Sequence, residues 1–310
     1  MWSPLYRKLQ AISPSALAQR LIGAPIRLHP LFVVLLVLSV VTGYFLETAT
    51  LFVIVFIHEL GHAAAARGLG WRIRHIRLLP FGGVAEVEEH GNVPAREELL
   101  VALAGPLQHV WMIAFAWLMK QLGVADPVWW EYFIKANMAI GLFNLLPIMP
   151  LDGGRVLQCL VCYGTPYRRA MSICTYAGLA LSALLVALAA LRIAAGDLQL
   201  NLLLVGLFLL SSNWMLLRNA PYQFLRFLMS RDAAAARFIG RGTLAQPIVV
   251  SRQRRLADIV KLLMRDKYHL IYVLGEGGTI QAVMPEQRIV ERYLRERPPG
   301  SAVSELFVLK

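Results

Sequence analysis

Residues 51–67 read LFVIVFIHELGHAAAAR: an apolar run leads into His58-Glu59-Leu60-Gly61-His62, and four alanines follow before Arg67. Positions four apart share one helix face, so His58 and His62 can aim their imidazoles at a single metal ion. Glu59, about 100° round the axis, can reach a water at that ion, which is the arrangement metal-assisted hydrolysis needs. In a soluble helix such a five-residue pattern recurs by chance. Inside a membrane span each ionisable group costs several kcal/mol unless it is partnered or hydrated, so an idle Glu59 would be hard to retain. With Arg67 as the cytoplasmic edge, His62 lies about 8 Å and His58 about 13 Å inside it, at about 1.5 Å per residue. At that depth the cytosol can supply the water that hydrolysis consumes.

The rest of the chain agrees with a membrane setting. Of 310 residues, 57% are hydrophobic and 16% charged, with a mean hydropathy of +0.56. Apolar stretches near 30–46, 50–66, 98–119, 132–150, 170–191 and 200–217 approach the length needed to cross about 30 Å of hydrocarbon. The expected fold is therefore a polytopic α-helical membrane protein of about six transmembrane helices with a small C-terminal α/β domain. The net charge of +12 is concentrated in one set of connections, holding Arg7, Lys8, Arg20, Arg27, Arg67, Arg72, Arg74, Arg77, Arg96, Arg155, Arg168 and Arg169. The opposite set holds little beyond Lys120 and Arg192, which places both termini in the cytoplasm. The charge thus reads as topology, and no direct nucleic-acid partner is expected. Cys159, Cys162 and Cys174 are too few and too clustered for a disulfide framework and read as small helix-packing residues.

A catalytic zinc has three protein ligands and one open position. Asp152, in the stretch NLLPIMPLDGGRVL (144–157), is the best candidate for the third, because Pro147 and Pro150 interrupt a helix there and Gly153-Gly154 follows. Its alternative is an ordinary helix-end aspartate. Asn144 could present its amide to a substrate backbone or simply bond between helices. His109 could approach the site, with helix packing as the plainer reading. A Glu131–Lys135 ion pair is expected at i,i+4.

Between the second and third spans, WRIRHIRLLPFGGVAEVEEHGNVP (71–94) alternates apolar and polar residues around a Pro80–Gly83 break, predicting one or two short strands. Such an edge could receive an extended peptide, or could be a plain connecting hairpin. Composition turns soluble after Arg218, from which point 16 basic residues face 8 acidic ones. Residues 243–310 predict the order β-α-β-β-α: strand 247–250, helix 256–265, strands 270–274 and 279–283, helix 286–296. The organisation expected is a basic interfacial segment (1–28), a membrane metalloprotease domain (29–218), a linker (219–242) and a cytoplasmic domain (243–310).

HELGH on one span, N-x-x-P-x-x-P-L-D-G-G on a later one and PFGG between them resemble the site-2 protease family of intramembrane zinc metalloproteases. The run LLPFGGVAEVEEHGN with AGPLQH at 104–109 is similar to its sporulation branch. The resemblance implies zinc held by His58, His62 and Asp152, with Glu59 as the base. It also implies a substrate seat over Asn144–Pro150, Pro147 included. By the same resemblance the substrate is a membrane-associated protein, namely the precursor of a sporulation sigma factor. Inhibitory or regulatory membrane partners, and a place in the mother-cell membrane around the forespore, go with it. The C-terminal part would be a CBS-like module that binds ATP, and since such modules work in pairs, the chain would form a homo-oligomer. An anti-sigma factor or a signal remnant is the other substrate class. Outside proteolysis, the same cluster could serve a metal-ion transporter or an inactive scaffold, although a transporter would want polar residues on both sides of the midplane.

Overall fold

A computed structural model describes residues 26–28, 30–71, 73–79, 82–87, 93–295 and 303. Most of the basic lead-in and the Gly91-Asn92 turn lie outside the described residues. The chain divides into two compact units.

The first unit holds β1 (Ile26–Leu28), α1 (Pro30–Thr42), α2 (Phe45–Gly68), β2 (Ile73–Leu79), β3 (Gly82–Val87), most of α3 (Ala95–Gln121), and α4 (Pro127–Asn144). The first turn of α5 (Asp152–Gly164) belongs with it. Gly43, at φ +82°, separates α1 from α2. Asp126 caps α4 by accepting from the Val128 amide at 2.9 Å, with Pro127 at the first helical position. Ile54, Met112, Ala116, Trp130 and Phe133 form the core that joins α2, α3 and α4.

Strand β1 pairs parallel to β2, and β2 pairs antiparallel to β3 with Leu79 opposite Gly82. The expected pair of strands is thus present, and a third, from the end of the lead-in, adds to it. Ion pairing at the head of α4 differs from expectation. Glu131 accepts from Lys120 at 2.5 Å, because the short α3–α4 turn brings the end of α3 beside the second turn of α4.

The second unit holds the rest of α5, α6 (Tyr167–Ala194), α7 (Leu200–Met229), α8 (Arg231–Arg241), β4 (Ala245–Ser251), α9 (Leu256–Val260), β5 (Tyr268–Leu274), β6 (Ile280–Pro285) and α10 (Glu286–Arg295). Helices α6 and α7 pack tightly where Gly178 meets the Asn213 side chain. The Asn213 amide in turn donates to the Met149 carbonyl at 2.6 Å and holds the loop that precedes Asp152 in sequence. Residues 245–295 follow the expected β-α-β-β-α order, with β4 parallel and β6 antiparallel to the central β5. Their alternating inward residues, Ile271 and Val273 among them, share a core with Leu256, Ile259, Ile289, Phe224 and Phe227. The segment 219–242 is almost wholly helical. The three cysteines are buried thiols outside any disulfide.

Among the described residues four helical stretches are long and apolar enough to cross a membrane: Phe45–Gly68, Ala95–Gln121, Tyr167–Ala194 and Leu200–Gly240. The count of six expected from hydropathy is not reached, for two physical reasons. Helix α1 has 13 residues, about 20 Å, and falls short of the hydrocarbon thickness. Helix α4 has 18 residues with Glu131, Lys135 and Asn137 among them, and it stops at Asn144 rather than running to 150. Proline supplies no amide hydrogen and biases its predecessor away from helix, so Pro147 and Pro150 force the break.

Candidate metal centre

Three side chains from two helices converge at the foot of the break. His58 and His62 lie one turn apart on α2, and Asp152 opens α5. Asp152 Oδ2 is 3.0 Å from His58 Nε2 and 3.2 Å from His62 Nε2, and the two Nε2 atoms are 3.1 Å apart. Ligands at about 2.0–2.1 Å from a tetrahedral zinc stand about 3.3 Å from one another, so the triangle matches a zinc coordination face with little adjustment.

Glycines make the convergence possible. A Cβ on Gly61 would fall 2.5 Å from the Ala104 carbonyl, and one on Gly105 would run into the His62 ring. Helices α2 and α3 therefore touch backbone to side chain at the level of the site, as small residues allow between membrane helices. Likewise a Cβ on Gly153 would collide with the Leu145 carbonyl. This is the physical sense of Asp-Gly-Gly: the residue after Asp152 must pass against the end of α4.

The donor set itself calls for a cation. His62 Nδ1 sits 2.7 Å from the Val101 carbonyl, which can only accept, so Nδ1 carries the hydrogen and donates. In the neutral ring Nε2 then offers a bare lone pair toward a carboxylate oxygen. Two lone pairs at 3.2 Å repel unless a proton or a metal ion lies between them. The residues present fit a divalent ion with two nitrogens and one oxygen.

A further pair backs His58. Its Nδ1 is 3.0 Å from His109 Nε2, and His109 Nδ1 is 3.0 Å from Asn137 Oδ1. His109 and Asn137 are 3% and 0% exposed. The sequence allowed His109 to approach the site; Asn137 went unmarked. A signal existed, since a polar amide in mid-span also needs a partner, at a desolvation cost smaller than that of a carboxylate such as Glu59.

Glu59, directly after His58, is buried. Asn144, the last residue of α4, is half-buried, and Pro147 lies exposed in the turn that follows. Among the described residues no hydrogen bond joins either of them to the His58–His62–Asp152 cluster.

Comparison with known proteins accords with this geometry. The description of peptidase family M50 matches residues 47–123 and 112–185, which include both histidines and Asp152. Stage IV sporulation protein FB of Bacillus subtilis is 33% identical over 283 residues, covering 91% of this chain and 96% of that protein. A zinc metalloprotease of Methanocaldococcus jannaschii is 30% identical over 200 residues, covering 61% of this chain and 56% of the other. The solved site-2 protease from the same archaeon superposes with a TM-score of 0.50 at 29% identity, over 62% of this chain and 90% of its own. Identity of a third along nearly the full length of a relative, joined to apolar helices of spanning length, leads to one conclusion: this chain belongs to peptidase family M50, the site-2 proteases, and is a multi-pass membrane zinc metalloprotease.

Proposed function

We propose that the chain hydrolyses a peptide bond of a membrane-associated protein, with His58, His62 and Asp152 as the zinc ligands and Glu59 as the general base. The observation that carries this reading is the single triangle of two bare imidazole nitrogens and one carboxylate oxygen. When bound, zinc supplies a Lewis acid that polarises the scissile carbonyl and raises the nucleophilicity of water near neutral pH. Glu59 takes the proton of the attacking water as the carbon–oxygen bond forms. It then hands that proton to the amine nitrogen as the carbon–nitrogen bond breaks.

The substrate must be extended, because a helical peptide bond is shielded by its own hydrogen bonds. Strand β3 ends its sheet among the described residues, which suits it to receive an extended peptide by strand addition. Asn144 and Pro147 would help seat the same segment beside Asp152.

The substrate we favour is the pro-sequence of a sporulation sigma factor, supported by the match along 96% of a sporulation protein. The apolar stretches near 30–46 and 132–150 support α1 and α4 as two further crossings, six in all, with the bilayer thinning locally to meet the shorter α1; the distribution of basic residues supports cytoplasmic termini. The location would be the mother-cell membrane around the forespore. The β-α-β-β-α order of residues 245–295 supports a CBS-like module. One such module calls for a second copy, hence a homo-oligomer, with ATP as its ligand and membrane partners as regulators.

Purified full-length protein tests the reading. The Glu59→Gln variant should bind zinc as the wild type does and leave a co-expressed tagged sigma-factor precursor uncut. Cleavage at the wild-type rate would remove Glu59 from the reaction. Zinc uptake by protein-loaded liposomes without any cleavage would favour a transporter instead.

A further inference from the structure

We propose that His109 and Asn137 are positioning residues of the metal centre: together they lock His58 in the tautomer that turns a bare Nε2 toward the ion. The inference rests on the metal-site reading above. Each step follows from a donor or acceptor that has no choice.

The Phe133 carbonyl is an acceptor only, and Asn137 Nδ2 donates to it at 3.0 Å. That bond fixes the amide, so Asn137 Oδ1 is the atom facing His109 Nδ1 at 3.0 Å. An amide oxygen can only accept, so His109 Nδ1 carries the hydrogen. A second hydrogen on His109 would place a buried cation beside a site built for a dication, at a ring-to-ring distance of 5.1 Å from His58. The His109 ring is therefore neutral and its Nε2 is an acceptor. Only a hydrogen on His58 Nδ1 satisfies it, at 3.0 Å. His58 Nε2 is then bare and points at Asp152 Oδ2, 3.0 Å away.

Both histidines are thus oriented from behind, by different devices. The Val101 carbonyl, a fixed backbone group, orients His62. His58 depends on a relay of two side chains, and the relay is held in place by packing. Gly141 lies against the His109 ring, where an added Cβ would come within 3.1 Å of Cγ and Cδ2. Three residues of α3 and α4 that touch neither substrate nor reacting atoms therefore decide which nitrogen of His58 can bind metal. Loss of such an orienting partner commonly lowers metal affinity about 10- to 100-fold.

The test uses full-length protein in detergent, with zinc affinity measured by competition against a chelator. His109→Leu should lose about 10- to 100-fold in affinity. His109→Gln keeps an acceptor near the Nε2 position and should stay within about threefold of wild type. Asn137→Val leaves His109 free to take either tautomer and should fall between the two. Long-range proton–nitrogen spectra of 15N-histidine protein should show His58 protonated at Nδ1 in wild type and in His109→Gln, and mixed in Asn137→Val. Packing alone would not produce the tautomer change or the rescue by glutamine. Wild-type zinc affinity in both His109→Leu and Asn137→Val, or a glutamine variant as weak as the leucine one, would overturn the inference and leave the metal site standing. A wild-type chain that takes up no zinc would overturn both.

Discussion

Gly105 of α3 lies flush against His62 of α2: a methyl group on its Cα would fall 2.2 Å from Nε2 and 2.8 Å from His58 Cε1. The helix next door is part of the shape of the metal centre, because any side chain at this position would press on both imidazole rings.

Gly105→Ala is accordingly expected to displace His62 while leaving every ligand in the chain. A ligand moved by about 1 Å can cost about 100-fold in rate, so cleavage should fall on that scale. Zinc content measured on the purified variant should fall with it. Gly68→Ala, where nothing lies within 4 Å of the added carbon, is the control and should behave as wild type. Equal activity of the two variants would show that α3 does not press on the site.

How much of this was legible in the sequence depends on what carried the information. His58, Glu59 and His62 are three residues within five positions of one helix, so helical geometry alone gave their relation. Asp152 is 90 positions from His62, and it was marked as a site by the break at Pro147 and Pro150 and the Gly153-Gly154 that follows. The reach of Val101, His109 and Asn137 behind the imidazoles depends on how three helices pack, and no periodicity encodes that. The C-terminal order was readable because its strands alternate with period two. The end of the fourth helix was not, since hydropathy averages across Pro147 and Pro150 and cannot see that α4 ends at Asn144.

Removal of the metal gives a second expectation. Dialysis against a strong chelator should abolish cleavage, and readdition of zinc should restore it. Because the ion binds the folded site and not the unfolded chain, zinc at about 100 times its dissociation constant should add about 2.7 kcal/mol of stability. That gain should appear as a higher thermal midpoint for wild type, and it should be absent in Asp152→Ala. A midpoint indifferent to zinc in wild-type protein would contradict a resident metal.

The last expectation concerns Arg231, which opens α8 and is 1% exposed, and Glu286, which opens α10 and is 0% exposed. The Arg231 guanidinium donates from Nε to Glu286 Oε1 at 2.9 Å and from Nη2 to the same oxygen. It also donates to the carbonyls of Met264, Arg265 and Lys267 at 2.9, 2.9 and 2.6 Å. Glu286 Oε2 accepts from the His269 amide at 3.1 Å and from His269 Nδ1 at 2.8 Å, while His269 Nε2 accepts from the Met264 amide at 3.3 Å. Every polar atom of this charged pair thus has a partner, which is the condition under which a buried ion pair is tolerated. Removing one member leaves the other charge buried and unmatched, at a cost of about 3–5 kcal/mol. Glu286→Gln should therefore loosen the 245–295 segment, and limited proteolysis should cut it sooner than in wild type. Adding Arg231→Met to that variant removes the stranded cation, so the double variant should resist the protease better than Glu286→Gln alone. A double variant at least as fragile as the single one would mean that the pair's value lies in its contacts with the backbone carbonyls and not in the balance of charge.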